Sequence, residues 1–104
     1  MAKEEIDFKK TDDTLLITLG DKFDYHHGKR FQDACRAHTG INKYIIDFKH
    51  VSYIDSSALG RLMFLRTQAG EEQADITIIN PRKAIFDILK ITQLHKVFKI
   101  KDII

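Results

Sequence analysis

The 104-residue chain carries one cysteine, one proline and no tryptophan. A lone thiol, Cys35, excludes an intrachain disulfide framework and a multi-thiolate zinc site. No apolar run approaches the roughly 20 residues that a membrane-spanning helix requires. The N-terminal Met1-Ala2-Lys3-Glu4-Glu5 places acids where a signal peptide needs an apolar segment. Neither sign of charge is in excess: 17 Lys and Arg against 15 Asp and Glu leave +2. That balance lacks the dense basic stripe of a nucleic-acid-binding surface. The five glycines are scattered, so no linker, repeat or low-complexity stretch stands out. What remains is 43% hydrophobic and 31% charged, against roughly a quarter charged in average domains. That suffices for one modest core under a well-solvated surface. The expectation is a single cytoplasmic domain over residues 1–104, touching neither membrane nor nucleic acid directly.

Hydrophobic spacing then predicts the elements. Ile6 and Phe8 alternate with polar neighbours; after Thr11-Asp12-Asp13 the alternation resumes at Leu15, Ile17 and Leu19, up to Gly20. Two period-two runs around a polar turn predict a β-hairpin. From Tyr25 to Thr39 the apolar positions fall at Phe31, Ala34, Cys35 and His38, a helical pattern with Gly40 as its stop. Tyr44-Ile45-Ile46-Asp47-Phe48 reads as a strand covered on both faces. Ala58 to Ala69 is helical, with Ala58, Leu62, Leu65 and Ala69 on one stripe, Leu59 and Met63 beside it, and Gly70 at its end. Ile76 to Ile79 is a further strand, and Asn80-Pro81 predicts an N-cap with proline at the first helical position. Ile85, Ile88, Leu89 and Thr92 continue that helix, and Val97 to Ile100 predicts a last short strand. Strand and helix alternating after residue 44 imply parallel strands joined by right-handed crossovers. The expected class is α/β: a mixed sheet of four to five strands, the hairpin as its antiparallel edge, packed with about three helices.

The segment from Val51 to Gly60 concentrates the chemistry. Asp55, Ser56 and Ser57 stand together at a predicted helix start. Asp and Ser are preferred N-caps, so all three could simply satisfy free amides. A cap needs only one side chain, however. A spare hydroxyl there projects where amides and helix dipole favour an added anion. A phosphate would bring about −1.5 to −2 charge beside Asp55, which suits a switch better than catalysis.

The stretch Ile54-Asp55-Ser56-Ser57-Ala58-Leu59-Gly60, preceded by Val51-Ser52-Tyr53, resembles the signature of the bacterial STAS-domain anti-sigma-factor antagonists. In that family an Asp-Ser-(Ser/Thr)-Gly-Leu-Gly motif opens a helix, and the serine directly after the aspartate is phosphorylated. Here that serine is Ser56, with Ser57 the alternative. Gly20-Asp21-Lys22-Phe23-Asp24 resembles the loop before the family's first helix, and Ile76 to Pro81 its strand leading into the last long helix. Ala58 departs from the usual glycine. Phe23 and an apparent extra residue make the loop differ around Asp24. The resemblance implies partner switching: the unphosphorylated protein binds an anti-sigma factor that is also a serine kinase, releasing sigma factor. Phosphorylation reverses this, and a PP2C-type serine phosphatase, a metal-dependent enzyme, resets it. The implied contact surface surrounds Asp24, Asp55 and Ser56. On the helix that follows, Ser57, Arg61, Phe64 and Gln68 recur on the face opposite Leu62 and Leu65, with Phe64 as candidate anchor.

Other chemistries find less support. His26 and His27 are adjacent, so their side chains diverge on a helix. His38 lies on the apolar stripe and reads as a packed residue. His50 and His95 lack a cysteine or acid at metal-ligand spacing. No Gly-x-Ser-x-Gly elbow, Walker loop or Gly-x-Gly-x-x-Gly run occurs, so any phosphate donor should be bound by a partner. The expected module is non-enzymatic and needs no cofactor or metal. Its rivals are a small phosphocarrier phosphorylated on His26 or His27, and a STAS module scaffolding another signalling complex. Lys96, Lys99 and Lys101 read as a solvated basic edge.

Overall fold

In the computed structural model, residues 5–102 are described. The hairpin forms as β1 (Asp7–Thr11) and β2 (Thr14–Thr18), antiparallel across a two-residue turn in which Asp12 adopts φ 55°. After the short β3 (Lys22–Phe23) come α1 (Tyr25–Ala37), β4 (Lys43–Asp47), the short β5 (Tyr53–Ile54) and α2 (Ser56–Gln68). The chain then adds β6 (Ile76–Ile79), α3 (Lys83–Ile91) and β7 (Lys99–Lys101). The main sheet has the order β1-β2-β4-β6-β7, and every neighbouring pair beyond the hairpin is parallel. Strands added in one direction through right-handed crossovers leave all three helices on the same face.

Burial follows that layout. Leu15, Ile17, Tyr44, Ile46, Ile76 and Ile78 point toward the helices and are buried together with Phe31, Cys35, Leu62, Leu65, Ile85 and Leu89. The alternate positions Thr14, Leu16, Thr18 and Ile45 look out from the other face and are only half-buried. The expectation that β4 is covered on both faces is therefore corrected. Its apolar run reflects Ile45 on an open sheet face rather than a second helix layer.

Helix ends obey local chemistry. Gly70, at φ 107°, takes the left-handed conformation just beyond α2, where a side chain would be strained. Two boundaries differ from expectation. Asn80 does not cap α3: its amide donates to the Lys101 carbonyl at 2.8 Å, and its φ of 57° turns the chain. Sheet pairing thus continues one residue past β6, and the helix starts only after Arg82, whose side chain makes no cap bond. The last strand likewise begins at Lys99 rather than Val97. Leu94–Lys96 forms a short 3₁₀ turn, the Phe98 amide closes onto the Leu94 carbonyl, and Phe98 is buried in the core.

Candidate functional site

β3 and β5 form a separate parallel pair, Lys22 beside Tyr53 and Phe23 beside Ile54. Each runs into a helix through an aspartate, and the in-step register brings the two aspartates together. Asp24 caps α1, its Oδ1 accepting from the His27 amide at 3.2 Å and lying 2.6 Å from His27 Nδ1. Asp55 caps α2: Oδ1 accepts from the Ala58 amide at 3.0 Å and from the Ser57 hydroxyl at 2.7 Å. Its other oxygen accepts from the amide of Tyr25, the first residue of α1, at 3.0 Å. One carboxylate thus ties two helix N-termini together. Beneath them Phe23 is fully buried, edge-on to Phe31 at 5.2 Å and to Phe48 at 6.3 Å between ring centroids. The Ser52 amide donates to the Asp21 carbonyl at 2.8 Å, and the Ser52 hydroxyl donates to the Asp21 carboxylate, fixing the approach to both strands.

Electrostatics favour charge here. The hydrogen bond to His27 holds the Asp24 carboxyl below its ordinary value, and the Ser57 hydroxyl does the same for Asp55, with amide donors adding to both. Both carboxylates also face helix N-termini, where the dipole stabilises negative charge.

The two serines differ in kind. Ser57 is half-buried and its hydroxyl is committed to Asp55. Ser56 is exposed, and its hydroxyl has no hydrogen-bond partner among the described residues. The expected stripe on α2 also divides. Arg61 donates to the Gln32 side chain, Gln68 donates to the Cys35 carbonyl at 3.3 Å, and the Arg36 guanidinium lies 4.8 Å from the Phe64 ring centroid. These side chains join α2 to α1. Gly28 permits the close approach, since a Cβ there would sit 2.9 Å from Arg61 Cγ. Phe64 remains 37% exposed.

The exposure of three apolar side chains escaped the sequence reading. Tyr25 is 65% exposed, Tyr53 52% and Met63 37%; Met63 thus points outward rather than flanking the buried stripe. Alternation around buried Ile54 is the signal that could have found Tyr53. Tyr25 depends on the cap geometry. His26 is exposed, edge-on to Tyr25, and His38 caps the end of α1 while stacking on Phe8. Among the described residues, no cluster of three His, Cys, Asp or Glu could hold a metal, and no helix is long and apolar enough to cross a membrane.

Comparison with known proteins places this geometry in a family. Residues 5–103 match the STAS domain. The chain belongs to the STAS domain family. A STAS-domain containing protein of Pseudomonas aeruginosa (strain UCBPP-PA14) is 37% identical over 87 residues, 83% of this chain and 86% of that protein. An anti-sigma-factor antagonist (STAS) domain protein from Planctomyces limnophilus shares the fold at TM-score 0.80 and 15% identity, covering 97% of this chain and 92% of that one. The unphosphorylated anti-sigma factor antagonist SpoIIAA matches at TM-score 0.78 and 16% identity, over 95% and 89% of the two chains. SpoIIAA, a Bacillus cell fate determinant, also has a solved phosphorylated form. The α/β STAS fold is thereby established, with its five-stranded mixed sheet, antiparallel hairpin and three helices.

Proposed function

We propose that this STAS domain is a non-catalytic anti-sigma-factor antagonist, switched off by phosphorylation of Ser56. The observation that carries the reading is the division of labour at the start of α2. Asp55 and Ser57 complete the cap between themselves, so Ser56 is exposed and uncommitted. A phosphoryl group added there disturbs no hydrogen bond of the fold and meets two helix N-termini. It also meets Asp24 and Asp55, held ionised, so the surface changes its charge sharply while the helix stays intact.

The partner is an anti-sigma factor with serine kinase activity, and a PP2C-type phosphatase restores the hydroxyl. In the unphosphorylated state the partner covers Ser56 together with the exposed rings of Tyr25, Tyr53 and Phe64 and the side chain of Met63. Aromatic residues around a small polar centre are the composition of a binding hot spot. A dianion buried in that contact without a counter-charge costs several kcal/mol, about a hundredfold or more in affinity.

The test pairs phosphosite mapping with binding. Incubation with the cognate kinase and nucleotide should label Ser56, and Ser56→Ala should lose the label. The phosphoprotein should keep a near-native circular dichroism spectrum and bind the kinase far more weakly, while Ser56→Ala binds constitutively. Equal affinity of the two forms refutes partner switching. Label that hydrolyses in acid points instead to a phosphohistidine, for which exposed His26 is the accessible candidate.

A further inference from the structure

The sheet face turned away from the helices carries a shallow groove of about 460 Å³. Its floor is formed by Leu16, Ile45, Thr77 and Ile79, which the ladder sets side by side across β2, β4 and β6. Its two free charges are cations. Lys43 lines one end, at the start of β4, and Lys101 lines the other, level with Asp47 and Ile79. Neither lysine's ammonium group has an ion-pair or hydrogen-bond partner among the described residues. The acid lining the groove, Asp47, is already committed: it accepts from the Lys49 amide at 3.0 Å and pairs with Lys49 Nζ at 3.6 Å. Lys9 and Lys99 close the row Lys9–Leu16–Ile45–Thr77–Lys99 at either edge, Lys99 being paired with Asp75 at 3.2 Å. The C-terminal lysines therefore do more than solvate an edge: two of them, Lys99 and Lys101, border an apolar floor.

We propose that this groove binds a small anionic amphiphile, a single-chain carboxylate whose head sits on Lys43 and whose apolar chain lies along the floor toward Ile79. A strand rise of about 3.3 Å per residue puts the two ends of the groove about 13 Å apart, which matches a medium-length acyl chain. The head belongs at Lys43 because Asp47 adds negative charge near Lys101. The volume falls within the roughly 300–1,000 Å³ of small-molecule sites. The seven lining residues fall well short of the roughly 20–30 per side of a protein interface, so a small molecule fits better than a protein segment. The face lies on the far side of the sheet from Ser56, so occupancy is independent of the phosphorylation reading.

Titration of the full chain with octanoate, followed by amide NMR, tests the proposal. Saturable shifts should centre on Leu16, Ile45, Thr77 and Ile79 and leave the start of α2 unmoved. Octan-1-ol, of equal chain length without the charge, should bind more weakly. Lys43→Glu should weaken octanoate by about fivefold, the upper end of what one exposed ion pair supplies, with an unchanged circular dichroism spectrum. Shifts confined to the helical face, or equal affinity for the alcohol, overturn it. So does a failure to saturate, and so does self-association in the ultracentrifuge through this face, which would assign the groove to a second copy.

Discussion

Removing the Asp55 carboxylate is the perturbation that most directly examines the joined helix starts. In Asp55→Ala the Ala58 amide loses its cap, worth about 1 kcal/mol. The Tyr25 amide loses an acceptor too; that bond is exposed, water replaces it, and its share is near the low end, about 0.5 kcal/mol. Together they predict a loss of about 1.5 kcal/mol, a fall in Tm of about 6–12 °C at roughly 4–8 °C per kcal/mol for a domain of this size. Asp55→Asn should cost less, because its amide oxygen still caps α2 while its NH₂ group confronts the Tyr25 amide. The pH dependence has a defined sign. Folding holds the Asp55 carboxyl below its ordinary value of 3.8, so its stabilisation is complete above that pH and fades as pH falls through the depressed folded value. The stability gap between wild type and Asp55→Ala should accordingly narrow in acid. Thermal denaturation by circular dichroism from pH 7 down to pH 2 reads both quantities. A gap below about 0.5 kcal/mol at pH 7, or one unchanged in acid, would refute the assignment of Asp55 as a shared cap.

Further expectations concern single side chains. Phe64→Ala should destabilise by about 1 kcal/mol rather than the roughly 3–5 of a core phenylalanine, because its ring is part-exposed and its partner is Arg36; denaturant unfolding distinguishes the two. Cys35 is buried and its thiol is pushed up to about 12 by desolvation. Its reaction with a thiol reagent at pH 8 should therefore follow the rate of opening, and prompt labelling of native protein would contradict its placement. Phe23→Ala should cost about 3–5 kcal/mol and speed hydrogen exchange at the Tyr25 and Ala58 amides, since Phe23 anchors the strand whose pairing with β5 positions their shared acceptor, Asp55.

Periodicity identified the hairpin and the three helices, because each buries one face against the core and a residue's side is set by its spacing, while the parallel strands β4 and β6 showed as short apolar runs. The Asp-Ser-Ser run was legible as a helix start for the same local reason: capping is settled within a few residues. The identity of the spare hydroxyl was not. Either serine could have bonded Asp55, and only the folded backbone gives that place to Ser57. Nor did the sequence disclose the β3–β5 pair, whose two-residue strands are too short to show a period, and with it the meeting of Asp24 and Asp55. The α2 stripe at Arg61, Phe64 and Gln68 looked solvent-facing from its polarity, yet much of it is spent on α1. Asn80-Pro81 carried a sound local start signal that sheet pairing to Lys101 overrode. Residue spacing determined which side chains face inward. Which polar groups meet, and which face of the sheet stays open above Leu16 and Ile45, was decided by contacts between segments 30 or so residues apart, where no local preference reaches.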